Sequence, residues 1–123
     1  MKFINILIVL SLLSFLSCAN KEEKVEMIND DEIETQMLES YKKGLKALDE
    51  GDALYAAKHF TDAELLFPQS EWAPKSLLMA AYSYYSQDYF EDAIAELERF
   101  IKTYPQSNRL DYAYFLLASC YYE

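Results

Sequence analysis

Glycine and proline are almost missing from this chain, with two Gly and three Pro among 123 residues. Tight hairpin turns draw on both residue types, so a many-stranded β fold is excluded. With glycines only at Gly44 and Gly51, no Gly-rich phosphate-binding loop can be written. A single His and two widely separated Cys, Cys18 and Cys120, are too few for a Cys/His zinc site. Positive charge is scarce as well. Lys and Arg number 11 against 21 Asp and Glu, a net charge of −10, whereas a nucleic-acid binder needs clustered cations to neutralise phosphates. These absences point away from cofactor enzymes and nucleic-acid partners. What the chain does hold is 52% hydrophobic residues and 11 Tyr.

The longest apolar stretch, Phe3 to Leu16 behind Met1-Lys2, is interrupted only by Asn5, Ser11 and Ser14. It falls short of the roughly 20 residues that span a bilayer and has the dimensions of a secretory signal peptide. Phe15-Leu16-Ser17-Cys18 follows, and it resembles a bacterial lipobox with Phe15 in place of the usual Leu. That resemblance implies a diacylglyceryl group on the Cys18 thiol and cleavage that leaves Cys18 as the new N-terminus. Ordinary cleavage at the small-x-small site Ser17-Cys18-Ala19 is the alternative. The lipobox is favoured because the Cys falls where the apolar run ends. Ala19, not Asp, resembles an outer-membrane sorting signal. Residues 1–17 are therefore expected to be a lipoprotein signal peptide, and 18–30 the lipidated Cys with a charged, flexible tether. Loss of Lys2 with the signal segment takes the net charge from −10 to −11, so acyl tails and not headgroup attraction would hold the chain to a membrane.

Residues 31–123 carry an internal repeat. Phe67-Pro68-Gln69-Ser70 returns 37 residues later as Tyr104-Pro105-Gln106-Ser107, and the same offset relates Gly44 to Ala81 and Ala118, Ala56 to Ala93, Phe60 to Leu97, and Tyr84 to Tyr121. Each unit reads as two helices. Apolar or small residues at 37, 38, 41, 45 and 48 predict a helix over 32–49, broken by Gly51-Asp52. Helices are then predicted over 54–67, from Pro74's first turn to Ser86, over 89–104 and over 110–123, with Pro68 and Pro105 as stops.

These residues resemble the tetratricopeptide repeat, whose signature is W-x-x-L-G-x-x-Y, A-x-x-x-F and P. Leu77-x-x-Ala80-Ala81-x-x-Tyr84, Ala93-x-x-x-Leu97 and Pro105 fit it, as do Ala56-x-x-x-Phe60 with Pro68, and Tyr114-x-x-Leu117-Ala118-x-x-Tyr121. Lys43 and Ala47 depart from it. The expected fold is an all-α tetratricopeptide-repeat solenoid of about two and a half repeats. Gly44, Ala56, Ala81, Ala93 and Ala118 would let helices approach, while Phe60, Leu97 and Phe100 fill the space between pairs.

The combination of a lipobox, an acidic tether and Y-P-x-S junctions, with Tyr89-Phe90-x-x-Ala93-x-x-x-Leu97-x-x-Phe100-Ile101-x-x-Tyr104-Pro105 and Asp111-Tyr112-Ala113-Tyr114, resembles the BamD family of β-barrel assembly lipoproteins. The resemblance implies a five-repeat protein, of which this chain would hold the N-terminal portion. It implies a non-enzymatic scaffold without cofactors, lipid-anchored in the outer membrane and facing the periplasm. Its implied partners are the β-barrel insertase, accessory lipoproteins and unfolded outer-membrane proteins. A repeat lipoprotein of cell division or peptidoglycan synthesis, or a repeat region attached to a downstream hydrolase, are the rival readings.

The first helix of each repeat lines the concave face of such a solenoid. Helical periodicity puts Leu38, Tyr41, Leu45 and Leu48 there from the first unit, Lys75, Leu78, Tyr82 and Tyr85 from the second, and Tyr112, Phe115, Ser119 and Tyr122 from the third. A peptide-binding site is expected at Tyr41, Leu45, Lys75, Leu78, Tyr82, Tyr85, Tyr112, Phe115 and Tyr122, with one basic residue at its wall. Aromatics at helical spacing also serve inter-repeat packing, and Tyr84 and Tyr121, at a signature position, are expected in the core. A Lys/Asn/Arg clamp for a terminal carboxylate is not expected, because only Lys75 could contribute. His59 reads as a surface residue and Cys120 as a buried hydrophobe. For the lipobox, Cys18→Ser is expected to abolish labelling by a fatty-acid analogue; persistent labelling would refute the assignment.

Overall fold

A computed structural model describes residues 29–123. The signal segment, Cys18 and the tether as far as residue 28 lie outside the described residues. Five helices follow in order: α1 (Asp30–Asp49), α2 (Ala53–Leu66), α3 (Trp72–Tyr85), α4 (Phe90–Thr103) and α5 (Leu110–Tyr122). Each packs on the next, and α3 also touches α5. This is the expected stack of helical pairs. The first helix starts two residues earlier than periodicity indicated, because Asn29 caps it. The Asn29 side chain accepts from the Asp31 amide, and Asp30, Asp31 and Glu32 crowd the positive end of the helix. Asp52 caps α2 by accepting from Tyr55 N at 3.0 Å.

The 37-residue period is written into the backbone bonding of the turns. Gly51 N donates to Leu48 O and Asp52 N to Ala47 O; one period on, Asp88 N donates to Tyr85 O and Tyr89 N to Tyr84 O. This bond pair is the Schellman helix ending, which requires a left-handed residue. Gly51 supplies φ +78° and Asp88 φ +63°, the latter being one of the few non-glycine types that tolerate that region. The junctions between repeats also match. Ser70 N donates to Phe67 O and Ser107 N to Tyr104 O, both at 3.0 Å.

Burial divides into two continuous clusters. Met37, Tyr41, Ala56, Ala57, Phe60, Ala63 and Ala80 fill the first. Leu77, Leu78, Ala81, Ala93, Leu97, Phe100, Ala113, Leu116 and Cys120 fill the second. Helix α3 supplies both, Ala80 to one and Leu77 with Ala81 to the other, and Tyr84 packs against each. One helix thus joins the two repeats into one solenoid. Among the described residues no helix is long and apolar enough to cross a membrane.

Two expectations are corrected. Tyr121 is 66% exposed, because the α4 helix that covers Tyr84 has no counterpart over α5 among the described residues; Ala118 is exposed for the same reason. His59 is largely covered and not freely exposed. Its side chain is only 12% exposed, because Ser40 of α1 closes over it, with the hydroxyl donating to His59 O at 2.9 Å.

The tightest constraint is at Gly44. A Cβ built there would lie 2.8 Å from Phe60 Cε1 and 2.9 Å from Cδ1. Phe60 is fully buried, so its ring would have to shift within a packed core to admit the methyl group. Gly44→Ala would gain about 1 kcal/mol of helix propensity but incur an overpacking cost of about 1–3 kcal/mol. The expected result is a net loss of stability, read as a thermal midpoint a few degrees lower; an unchanged or raised midpoint would contradict the close approach.

Candidate functional site

Helix α3 and the start of α5 face each other across a groove of about 190 Å³ lined by Lys75, Leu78, Met79, Tyr82, Arg109 and Tyr112. The α3 residues reach it because 75, 78, 79 and 82 share one side of a helix. Lys75, Leu78, Tyr82 and Tyr112 are sequence-expected site residues, and the fold brings these four together. A second hollow of about 340 Å³, at the C-terminal end of α5, gathers Tyr85, Phe115, Ala118, Ser119, Tyr122 and Glu123. Tyr112 stands between the two. Its ring lies 6.3 Å from that of Phe115, and its hydroxyl pKa is raised by burial and then by neighbouring Tyr82 and Tyr85.

Two expected residues do not line these surfaces. Tyr41 is a core residue, 6% exposed, because its ring is held edge-on by Phe60 at 5.1 Å and Trp72 at 5.2 Å. Leu45 is exposed but belongs to neither hollow, lying a full turn farther along α1.

The electrostatics also differ from expectation. Lys75 places its ammonium 4.2 Å above the Trp72 ring and 5.1 Å from that of Tyr41, a cation–π seat that fixes a side chain otherwise free to wander. A second cation, Arg109, lines the same groove. Its charge is close enough to Tyr41 to oppose the upward push of burial on that hydroxyl. Sequence reasoning missed both Arg109 and Trp72. They occupy equivalent positions, 37 residues apart, and extending the repeat offset into the junctions would have marked the pair.

Sequence reasoning missed Glu64 as well. This α2 carboxylate accepts from Arg99 Nη1 and from the Tyr104 hydroxyl, each at 3.0 Å. Burial first, and then the Glu64 hydrogen bond and charge, push the Tyr104 hydroxyl up to about 12.

A third hollow, about 510 Å³, opens between α1 and α2 and includes Ser40, His59 and Asp62. These residue types suggest a nucleophilic triad, but their bonding is different. The Ser40 hydroxyl donates to His59 O at 2.9 Å and not to His59 Nδ1, which lies 3.3 Å from Ser40 Oγ, so the Ser–His relay of a nucleophilic site is not formed. Asp62 approaches the same Nδ1 at 3.9 Å while bound to Lys58 at 2.6 Å. The group clasps α1 to α2. Burial and then the Lys58 charge lower the His59 pKa, keeping the ring neutral at pH 7. Among the described residues, no group of three or more His, Cys, Asp or Glu is placed to hold a metal ion.

Core and surface aromatics separate experimentally. Tyr41→Ala removes a buried ring and is expected to destabilise the fold by about 3–5 kcal/mol. Phe115→Ala, at a position 65% exposed, should change stability by no more than about 0.5 kcal/mol. Chemical denaturation of both variants checks this, and equal losses would reverse the assignment of Tyr41 to the core.

The chain matches the YfiO family of outer membrane lipoproteins over residues 33–123. It is similar to the outer membrane protein assembly factor BamD of Caulobacter vibrioides, 33% identical over 98% of this chain and 38% of that protein. The Neisseria gonorrhoeae protein of the same name is 36% identical over 62% of this chain and 28% of its own length. That of Rickettsia prowazekii is 34% identical over 67% and 33% respectively. The chain therefore spans between a quarter and two fifths of the length of these relatives. With a helical-repeat fold and a family match over most of its length, the chain belongs to the YfiO/BamD family of outer membrane lipoproteins.

Proposed function

We propose that this chain is a scaffold in outer membrane protein assembly and captures extended, aromatic-rich segments of unfolded barrel proteins between α3 and α5. The observation that carries this reading is the groove of Leu78, Met79, Tyr82 and Tyr112 with Lys75 and Arg109 at its walls. Tyr rings give a large rigid contact face at low entropic cost and keep a hydroxyl for hydrogen bonding. The two cations stand out in a chain of net charge −10. They would attract a segment carrying a carboxylate among its aromatics, and the low-dielectric aromatic walls would strengthen that attraction. The adjoining hollow at Tyr85, Phe115 and Tyr122 extends the apolar track along α5.

In this reading the lipid on Cys18 holds the solenoid at the outer membrane, facing the periplasm. The insertase and accessory lipoproteins are its assembly partners, and no catalytic step is assigned to it.

The test is fluorescence anisotropy with a labelled aromatic-rich segment of a barrel protein. Tyr112→Ala is expected to weaken binding by about 2 kcal/mol, on the order of 30-fold. Arg109→Ala should weaken it less and flatten its dependence on salt. Equal binding by the parent chain and by Tyr112→Ala would exclude the groove.

A further inference from the structure

Glu64 is only 3% exposed, a carboxylate where the repeat offset puts an apolar residue, Ile101, in the next unit. Its Oε1 takes hydrogen bonds from Arg99 Nη1 and the Tyr104 hydroxyl, and its Oε2 lies 2.8 Å from Arg99 Nη2. Arg99 is held in turn by Glu96, with Nε donating to Oε2 at 2.9 Å. Such a fork-and-hydroxyl arrangement orients its members tightly, and losing one partner leaves a buried charge uncompensated.

The location of this network is informative. Tyr104 opens the junction that ends at Arg109. From Tyr104 O the chain is bonded to Ser107 N at 3.0 Å, from Ser107 Oγ to Arg109 N at 3.2 Å, and from Ser107 O to Leu110 N at 3.2 Å. The preceding junction closes with the same Ser70 N to Phe67 O bond, yet Phe67 has no hydroxyl. The turn therefore forms without the pin, and the Glu64 network is an addition at one of the two junctions among the described residues. That junction is the one leading to Arg109 and Tyr112, the α5 wall of the groove.

We infer that Glu64, Arg99 and Tyr104 are positioning residues that hold the Arg109–Tyr112 wall at a set distance from α3. The part of this inference that concerns ligand grip rests on the function proposed above; the part that concerns wall position does not.

The closing experiment separates the two. In residues 1–123 with Cys18→Ser and Cys120→Ala, spin labels are placed at Glu71 and Asp111, both exposed and flanking the starts of α3 and α5. The distance distribution between them is measured in parent, Tyr104→Phe, Glu64→Gln and double-variant backgrounds. Tyr104→Phe is the conservative choice because Phe67 already closes the equivalent turn. A broadened or shifted distribution in each single variant, with no further change in the double, is the expected result. Anisotropy on the same backgrounds should show a loss of affinity on the order of fivefold for Tyr104→Phe, absent when Glu64→Gln is already present. An unchanged narrow distribution in folded Tyr104→Phe overturns the inference, as does an additive effect in the double variant. If Glu64→Gln does not fold, the distribution in Tyr104→Phe alone decides. A shifted distribution without segment binding in the parent chain supports the pin and refutes the binding reading.

Discussion

A single absent Cβ governs how this solenoid begins. Gly44 lets α1 settle onto the Phe60 ring, where even a methyl group would meet carbon at 2.8 Å. The rest of the site is stacked outward from that contact. Phe60 seats the edge of Tyr41, Tyr41 meets Trp72, and the Trp72 ring holds the Lys75 ammonium at 4.2 Å. A cation at the groove wall is thus the last member of an aromatic series rooted in the helix–helix approach. Interiors packed this closely transmit displacement, so widening the α1–α2 contact would reach the groove.

The repeat supplies a constant backbone and a variable surface. Junctions one period apart have matching hydrogen bonds, and left-handed residues recur at Gly51 and Asp88. Upon that frame, equivalent positions carry different chemistry: Trp72 against Arg109, Lys75 against Tyr112, Leu78 against Phe115. The first member of each pair packs or lines the inner groove, and the second builds its opposite wall or extends it. A groove between two repeats therefore acquires a cation and an aromatic on each side, although no single helix carries the whole set. The buried Glu64–Arg99–Tyr104 network belongs to the same logic, since it marks a junction whose wall must sit at a defined place.

Much of this was legible in the residues. Helix existence followed from period and Pro/Gly placement, and the observed ends differ by only one or two residues because caps such as Asn29 decide them. Lys75, Leu78, Tyr82 and Tyr112 were placed together by helical face alone. Tyr41 was not, because periodicity identifies the inward-turning face of a helix without saying whether a neighbouring helix, here through Trp72, already covers it. Tyr121 shows the converse, an apolar signature position left open where no further helix follows among the described residues. His59 and Glu64 were beyond reach for a common reason. Their environments depend on single contacts from other helices, Ser40 in one case and Arg99 with Tyr104 in the other, and such contacts leave no trace in local spacing.

The account stands or falls on whether the α3–α5 groove is where an unfolded barrel protein is held. A photo-crosslinking residue at Tyr82, with an unfolded outer-membrane protein added to the chain, measures this directly. The account predicts an adduct at Tyr82 mapping to an aromatic-rich segment of the substrate, and none from a control site at Leu54 on the start of α2, which is exposed and lines neither hollow of the proposed site. Equal crosslinking from both positions, or none at Tyr82, would contradict it.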